Sequence, residues 1–155
     1  MKIHEICFSP TGGTKRVATI LSQALADETI QVDLTACEVD FSRVMLTAED
    51  VALIAVPSYS GRVPAVAAER LGALHGNGAR AILVCVYGNR AYEKALVELD
   101  AFVTKLGFKV IAGATFVGEH SYSSEKYPVA AGRPDADDLE YAKLFGEKIR
   151  AKIAA

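Results

Sequence analysis

The chain of 155 residues is predicted to fold as one α/β domain, a parallel sheet covered by helices on both faces. Three observations predict this class. Short apolar runs alternate with segments of helical spacing from one end of the chain to the other. Two of the runs, 51–56 and 81–86, are almost wholly apolar, as strands buried on both faces are. Glycines, hydroxyls and tyrosines gather where a run gives way to the next helix.

Residues 3–8 form an apolar run that stops at Ser9 and Pro10, which suits a buried strand. From Lys15 to Ala26, Val17, Ile20, Leu21 and Leu25 recur at helical spacing, with Thr14 placed as the cap. Residues 30–34 alternate Ile30, Val32 and Leu34 against Gln31 and Asp33, a strand with one side partly wet. The third strand, 51–56, ends at Pro57, and Pro64 suits the first turn of a helix reaching about Leu74. The fourth, 81–86, ends at Tyr87-Gly88-Asn89-Arg90 and leads into a helix from about Ala91 to Leu106. Residues 108–117 read as the fifth strand. Residues 118–134 carry Gly, Ser, Tyr and Pro without a period and read as a long loop. Asp135 is placed to cap a charged, amphipathic closing helix that runs to Ile153.

Composition narrows the function classes. Apolar residues make up 51% of the chain, enough for a continuous core, and the formal net charge is −2. That balance argues against a broad nucleic-acid surface, which needs clustered basic residues. The first eight residues are too short and too polar for the apolar segment of a signal peptide. No stretch approaches the roughly eighteen apolar residues of a spanning helix. The expectation is a cytoplasmic protein with no membrane and no nucleic-acid partner. Cys7, Cys37 and Cys85 are scattered without paired spacing, and Cys7 and Cys85 lie inside apolar runs. No metal site is expected from them.

In an open parallel sheet, ligands bind at the carboxyl ends of the strands, where the strand order reverses. The first junction there is Ser9-Pro10-Thr11-Gly12-Gly13-Thr14-Lys15. Backbone N–H groups and the dipole of a helix N-terminus attract an anion, and two glycines permit close approach. Ser9, Thr11 and Thr14 add hydroxyl donors, so the loop suits a phosphate. A Walker loop would need glycines one and six residues before Lys15, where Thr14 and Ser9 stand, and the GxGxxG fingerprint is absent. A low-molecular-weight phosphatase would show Cys-x5-Arg, but the position six after Cys7 is Gly13. A receiver domain would need an aspartate after the third strand, where the chain has Pro57 and Ser58.

Ser9-Pro10-Thr11-Gly12-Gly13-Thr14 resembles the [ST]-x-T-G-x-T phosphate loop of flavodoxins. The stretch from Pro57 to Pro64 is similar to their second flavin loop, and that from Tyr87 to Tyr92 to their third. Residues 119–123 and 131–135 resemble the flavodoxin half of certain anaerobe flavodoxin–ferredoxin fusion proteins, whose clustered-cysteine ferredoxin module has no counterpart here. The resemblance covers essentially the whole chain. It implies a flavodoxin-like three-layer sandwich with strand order 2-1-3-4-5, and FMN as cofactor without an iron–sulfur centre. Carried over by position, it implies that Ser9, Thr11, Gly12, Gly13 and Thr14 hold the FMN phosphate without an arginine. Pro57, Ser58, Tyr59, Ser60 and Gly61 would form the second loop, with Tyr59 against one face of the isoalloxazine. Tyr87, Gly88 and Asn89 would meet the pyrimidine edge, with Tyr92 on the outer rim.

Further expectations concern the redox chemistry. Gly61 tolerates positive φ, so the Ser60 carbonyl could turn toward flavin N5 on one-electron reduction. Arg62 and Arg90, if they faced the flavin, would make its potential less negative than that of an acidic flavodoxin. His120 opens the long loop at the ligand-binding end and could lie near the ring or simply cap the loop; Tyr122 could cover the flavin edge or pack on the loop. His4 and His75 read as structural. An electron carrier that serves redox partner proteins of reductase or ferredoxin type is the favoured function, since no separate dinucleotide motif is present. An FMN-dependent NAD(P)H oxidoreductase of the quinone or flavin reductase type is the alternative, with residues 118–134 as a substrate wall. A cofactor-free interaction scaffold is the third.

Overall fold

The structure is a computed structural model that describes residues 2–88, 94–120 and 123–155. Ten elements follow one another: β1 (Ile3–Cys7), α1 (Gly13–Leu25), β2 (Thr29–Asp33), a 3-10 turn (Phe41–Arg43), β3 (Val51–Pro57), α2 (Ala65–Leu71), β4 (Arg80–Tyr87), α3 (Ala95–Lys105), β5 (Lys109–Val117) and α4 (Ala136–Ala154). All strands are parallel, in the order β2-β1-β3-β4-β5. The expected fold class and strand order are therefore found.

Alternation along the central strands builds two cores. Val51, Leu53 and Ala55 of β3 pack with Val17, Leu21 and Leu25 of α1 and with Ala142 and Ile149 of α4. Ala52, Ile54 and Val56 of the same strand face Ala67 and Leu71 of α2 and Leu99 and Val103 of α3. Successive residues of a strand point to opposite faces, so a sheet covered on both sides needs an unbroken apolar run. That is why 51–56 and 81–86 could be read so directly. The helices α1 and α4 cross closely at Gly146, where a Cβ would lie 2.8 Å from Ala24 Cβ and 2.9 Å from the Leu21 carbonyl.

Element ends differ from the expectations by small, explicable amounts. α1 begins at Gly13, with Gly12 as its N-cap in the left-handed conformation at φ +91°. Thr14 is thus inside the helix and buried rather than capping it. Pro64 is the N-cap of α2, and that helix stops at Leu71, before a turn that carries the chain to buried Leu74. The expected start of the third helix at Ala91 lies outside the described residues. Asp135 does cap α4, in a reciprocal box with Asp138. No helix among the described residues is long and apolar enough to cross a membrane.

Candidate functional site

The carboxyl ends of β1, β3, β4 and β5 bring four junctions to one edge of the sheet. At the first, Ser9 Oγ accepts from the Lys15 N–H at 3.0 Å, so Ser9 does the capping that Thr14 was expected to do. A helix cannot use its own first N–H groups. Those of Gly13 and Thr14 have no acceptor among the described residues. The first turn of α1 carries no acidic residue, whereas that of α4 carries Asp137 and Asp138. The positive end of α4 is thus answered within the protein, and that of α1 is left facing outward. A Cβ at Gly12 would meet nothing within 4 Å, and one at Gly13 only Pro134 Cδ at 3.7 Å. Thr11 is exposed at the tip of the loop.

Two supports of this loop were missed in the sequence. The Ser9 N–H donates to Thr35 Oγ1 at 2.8 Å, and Thr35 is itself turned by Asp33, whose Oδ1 accepts the Thr35 N–H at 2.9 Å. An aspartate two residues before a threonine at a strand end is the signal that could have shown this turn. The second missed feature is Glu5, inside the run taken as apolar. Its side chain is fully buried, with the Lys15 ammonium 2.5 Å from Oε1. Ser22 Oγ (2.6 Å), Gln31 Nε2 (3.1 Å) and Thr19 Oγ1 (3.3 Å) also donate to it. Burial pushes this carboxyl up, but the bonds from Lys15, Ser22 and Gln31 outweigh that and hold it below its ordinary value. Lys15, Thr19 and Ser22 recur at helical spacing, a polar stripe on the face of α1 that meets the sheet.

The second junction is a two-residue hairpin. Tyr59 and Arg62 exchange both backbone hydrogen bonds at 2.9 Å, and the residues between them, Ser60 and Gly61, both have positive φ, +51° and +73°. That combination defines a type I′ turn. Tyr59 is 46% exposed, and its ring meets Phe8 edge to face at 6.5 Å. Ser58, anchored by its N–H to the Val86 carbonyl at 2.9 Å, has a buried Oγ without a hydrogen-bond partner. Arg62 is ion-paired with Glu98 of α3, and Glu98 also accepts the Val63 N–H at 3.2 Å. The expectation that Arg62 offers a cation to a flavin is therefore qualified: its charge is neutralised by a neighbouring helix.

The third and fourth junctions meet. A Cβ at Gly88 would fall 2.8 Å from both Cβ and Cγ of His120, so the histidine packs directly on the Gly88 backbone. The described residues of 118–134 form the expected long loop, and hydrogen bonds tie it down. Gly118 N donates to the Tyr87 carbonyl, Glu119 N to that of Arg133 and His120 N to that of Val129, at 2.8–3.0 Å. Ser123 Oγ and Ser124 Oγ accept from Val129 N and Tyr127 N inside it, each at 3.0 Å. Arg133 is held by Asp138 and Asp135. Pro134 then brings the segment back beside Gly13. Asn89, Arg90, Tyr92 and Tyr122 lie outside the described residues. Cys7 and Cys85 are buried, and burial pushes both thiols up to about 12.

Known structures share this architecture. A flavodoxin of Streptococcus pneumoniae TIGR4 is 23% identical, covers 98% of this chain and 99% of its own, and superposes with a TM-score of 0.68. A flavodoxin from the domain Archaea matches over 100% of both chains at 13% identity and a TM-score of 0.61. The rubredoxin oxygen:oxidoreductase of the anaerobe Desulfovibrio gigas matches 99% of this chain with 37% of its own, at 17% identity and a TM-score of 0.69. No family model matches the sequence, and no curated protein does. The chain thus has the flavodoxin-like α/β fold.

Proposed function

We propose that this chain binds FMN at the carboxyl edge of its sheet and passes electrons between redox partner proteins of reductase or ferredoxin type. The observation that carries the reading is the N-terminus of α1. Its free N–H groups, the absence of acids in its first turn and the open space over Gly12 and Gly13 suit a phosphate. Ser9 Oγ already accepts one hydrogen bond, which leaves its proton to donate to the anion. The unpartnered Ser58 Oγ and the half-exposed Tyr59 supply a polar contact and a stacking ring next to that anchor. Flavodoxins with the same fold add support, as does the likeness to the flavodoxin half of the fusion proteins. When bound, FMN supplies one-electron chemistry at its ring. The chain's own residues bind the phosphate, position the ring between Tyr59 and the Gly88 loop, and limit its contact with water.

The test is reconstitution. FMN added to the cofactor-stripped protein should bind with loss of flavin fluorescence, and riboflavin should bind far more weakly. A protein that ignores FMN would leave only the scaffold reading. The hydrogen bonds among the described residues of 118–134 support the oxidoreductase as a second reading, because a tied-down loop could wall a substrate pocket. Rapid mixing of the FMN-loaded protein with NADPH separates the two: the carrier is reduced slowly or not at all, the oxidoreductase within its turnover time.

A further inference from the structure

We infer that Glu5 is a positioning residue that holds the Lys15 ammonium away from the anion site at the N-terminus of α1. The inference rests on the FMN reading above. Lys15 is the third residue of α1, and its N–H already touches the phosphate loop through Ser9 Oγ. Side chains of a helix lean toward its N-terminus, so the stem of a first-turn lysine leads naturally to an anion bound there. The ammonium instead turns to the sheet, where it meets Glu5 Oε1 at 2.5 Å and also bonds Gln31 Oε1.

Glu5 is fixed in that position. It projects from β1 with its side chain fully buried, and Ser22, Thr19 and Gln31 hold it besides Lys15. Lys15 is 44% exposed and has room to move, but leaving would strand a buried carboxylate without its counter-charge. The bound phosphate therefore lacks the lysine that its sequence position would provide, and keeps more of its negative charge beside the flavin.

The experiment is a double-mutant cycle of Glu5→Gln and Lys15→Met, with FMN and riboflavin titrated at low and high salt. Lys15→Met alone should give no gain in FMN affinity, since it frees no cation and strands the Glu5 carboxylate. Glu5→Gln should release the lysine and tighten FMN by about fivefold at low salt, with the gain lost at high salt and riboflavin unaffected. The double variant should return to the wild-type affinity. A gain that survives Lys15→Met would overturn the inference, since it would come from removing a negative charge alone. The wild-type protein gives an independent check by NMR: the Gln31 side-chain amide signals should stay in place when FMN is added, and a shift to a Lys15-free pattern would overturn the idea. A wild type that binds no FMN would instead remove the cofactor reading before any variant is compared.

Discussion

Gly61 is the residue whose backbone the proposed redox chemistry uses most directly. Its φ of +73° follows Ser60 at +51°, and Tyr59 and Arg62 clamp the pair with hydrogen bonds at 2.9 Å on either side. The peptide between Ser60 and Gly61 is therefore the one free unit of the turn, able to rotate without breaking the clamp. A β-branched residue is poorly tolerated at positive φ, so Gly61→Val restricts that rotation. The expected outcome is a lower potential for the oxidised/one-electron-reduced couple of bound FMN, with the second couple less affected. A spectroelectrochemical titration that finds the first couple unchanged would remove the Ser60 carbonyl from the mechanism. The expected contribution of Arg62 to the potential is reduced at this same scale, because Glu98 pairs with it.

At the scale of elements, the exits of β4 and β5 depend on each other through Gly88 and His120. A side chain at Gly88 would displace the imidazole of His120, a residue whose backbone N–H donates to the Val129 carbonyl at the start of the 118–134 segment. Gly88→Ala should destabilise the protein by about 1–3 kcal/mol, as overpacking of a tight contact does. The same change made together with His120→Ala should cost much less. Equal costs in the two backgrounds, measured by denaturant unfolding, would show that the contact carries no energy. This contact, and the hydrogen bonds that tie down the loop after β5, were not legible in the sequence. Periodicity reports elements that bury one face or two; it is silent about a segment held by its own serines and by carbonyls of distant strands. The strands were legible for the opposite reason, since 51–56 and 81–86 are buried on both sides and tolerate no polar residue. Glu5 hid in a similar run because its partners Lys15, Thr19, Ser22 and Gln31 are scattered over two other elements. The phosphate loop itself was legible, as its glycines and hydroxyls are contiguous. Which hydroxyl caps the helix was not, because Ser9 reaches across six residues to do so.

For the whole molecule, the double cover of the sheet has a consequence for acid stability. His4 and Glu5 are neighbours on β1 and both are buried. Consecutive strand residues point to opposite faces, so a sheet wet on one side would have left one of them in water. Burial holds His4 below its ordinary value of 6.5, only partly opposed by the nearby Asp50 and reinforced by Lys2, and its Nδ1 has no hydrogen-bond partner. The folded protein thus favours the neutral imidazole. As pH falls below about 6.5 the unfolded chain takes up a proton that the folded one refuses, and stability declines until the folded imidazole titrates. Glu5 acts lower down. Its carboxyl is held below 4.5, so its contribution is complete above that pH and is lost as pH falls through the folded value. Denaturant unfolding across pH should therefore show two declines, the first beginning near the ordinary histidine value and the second below the ordinary glutamate value. His4→Leu should flatten the first and leave the second; Glu5→Gln should do the reverse. If His4→Leu leaves the upper slope intact, the buried imidazole is not its source.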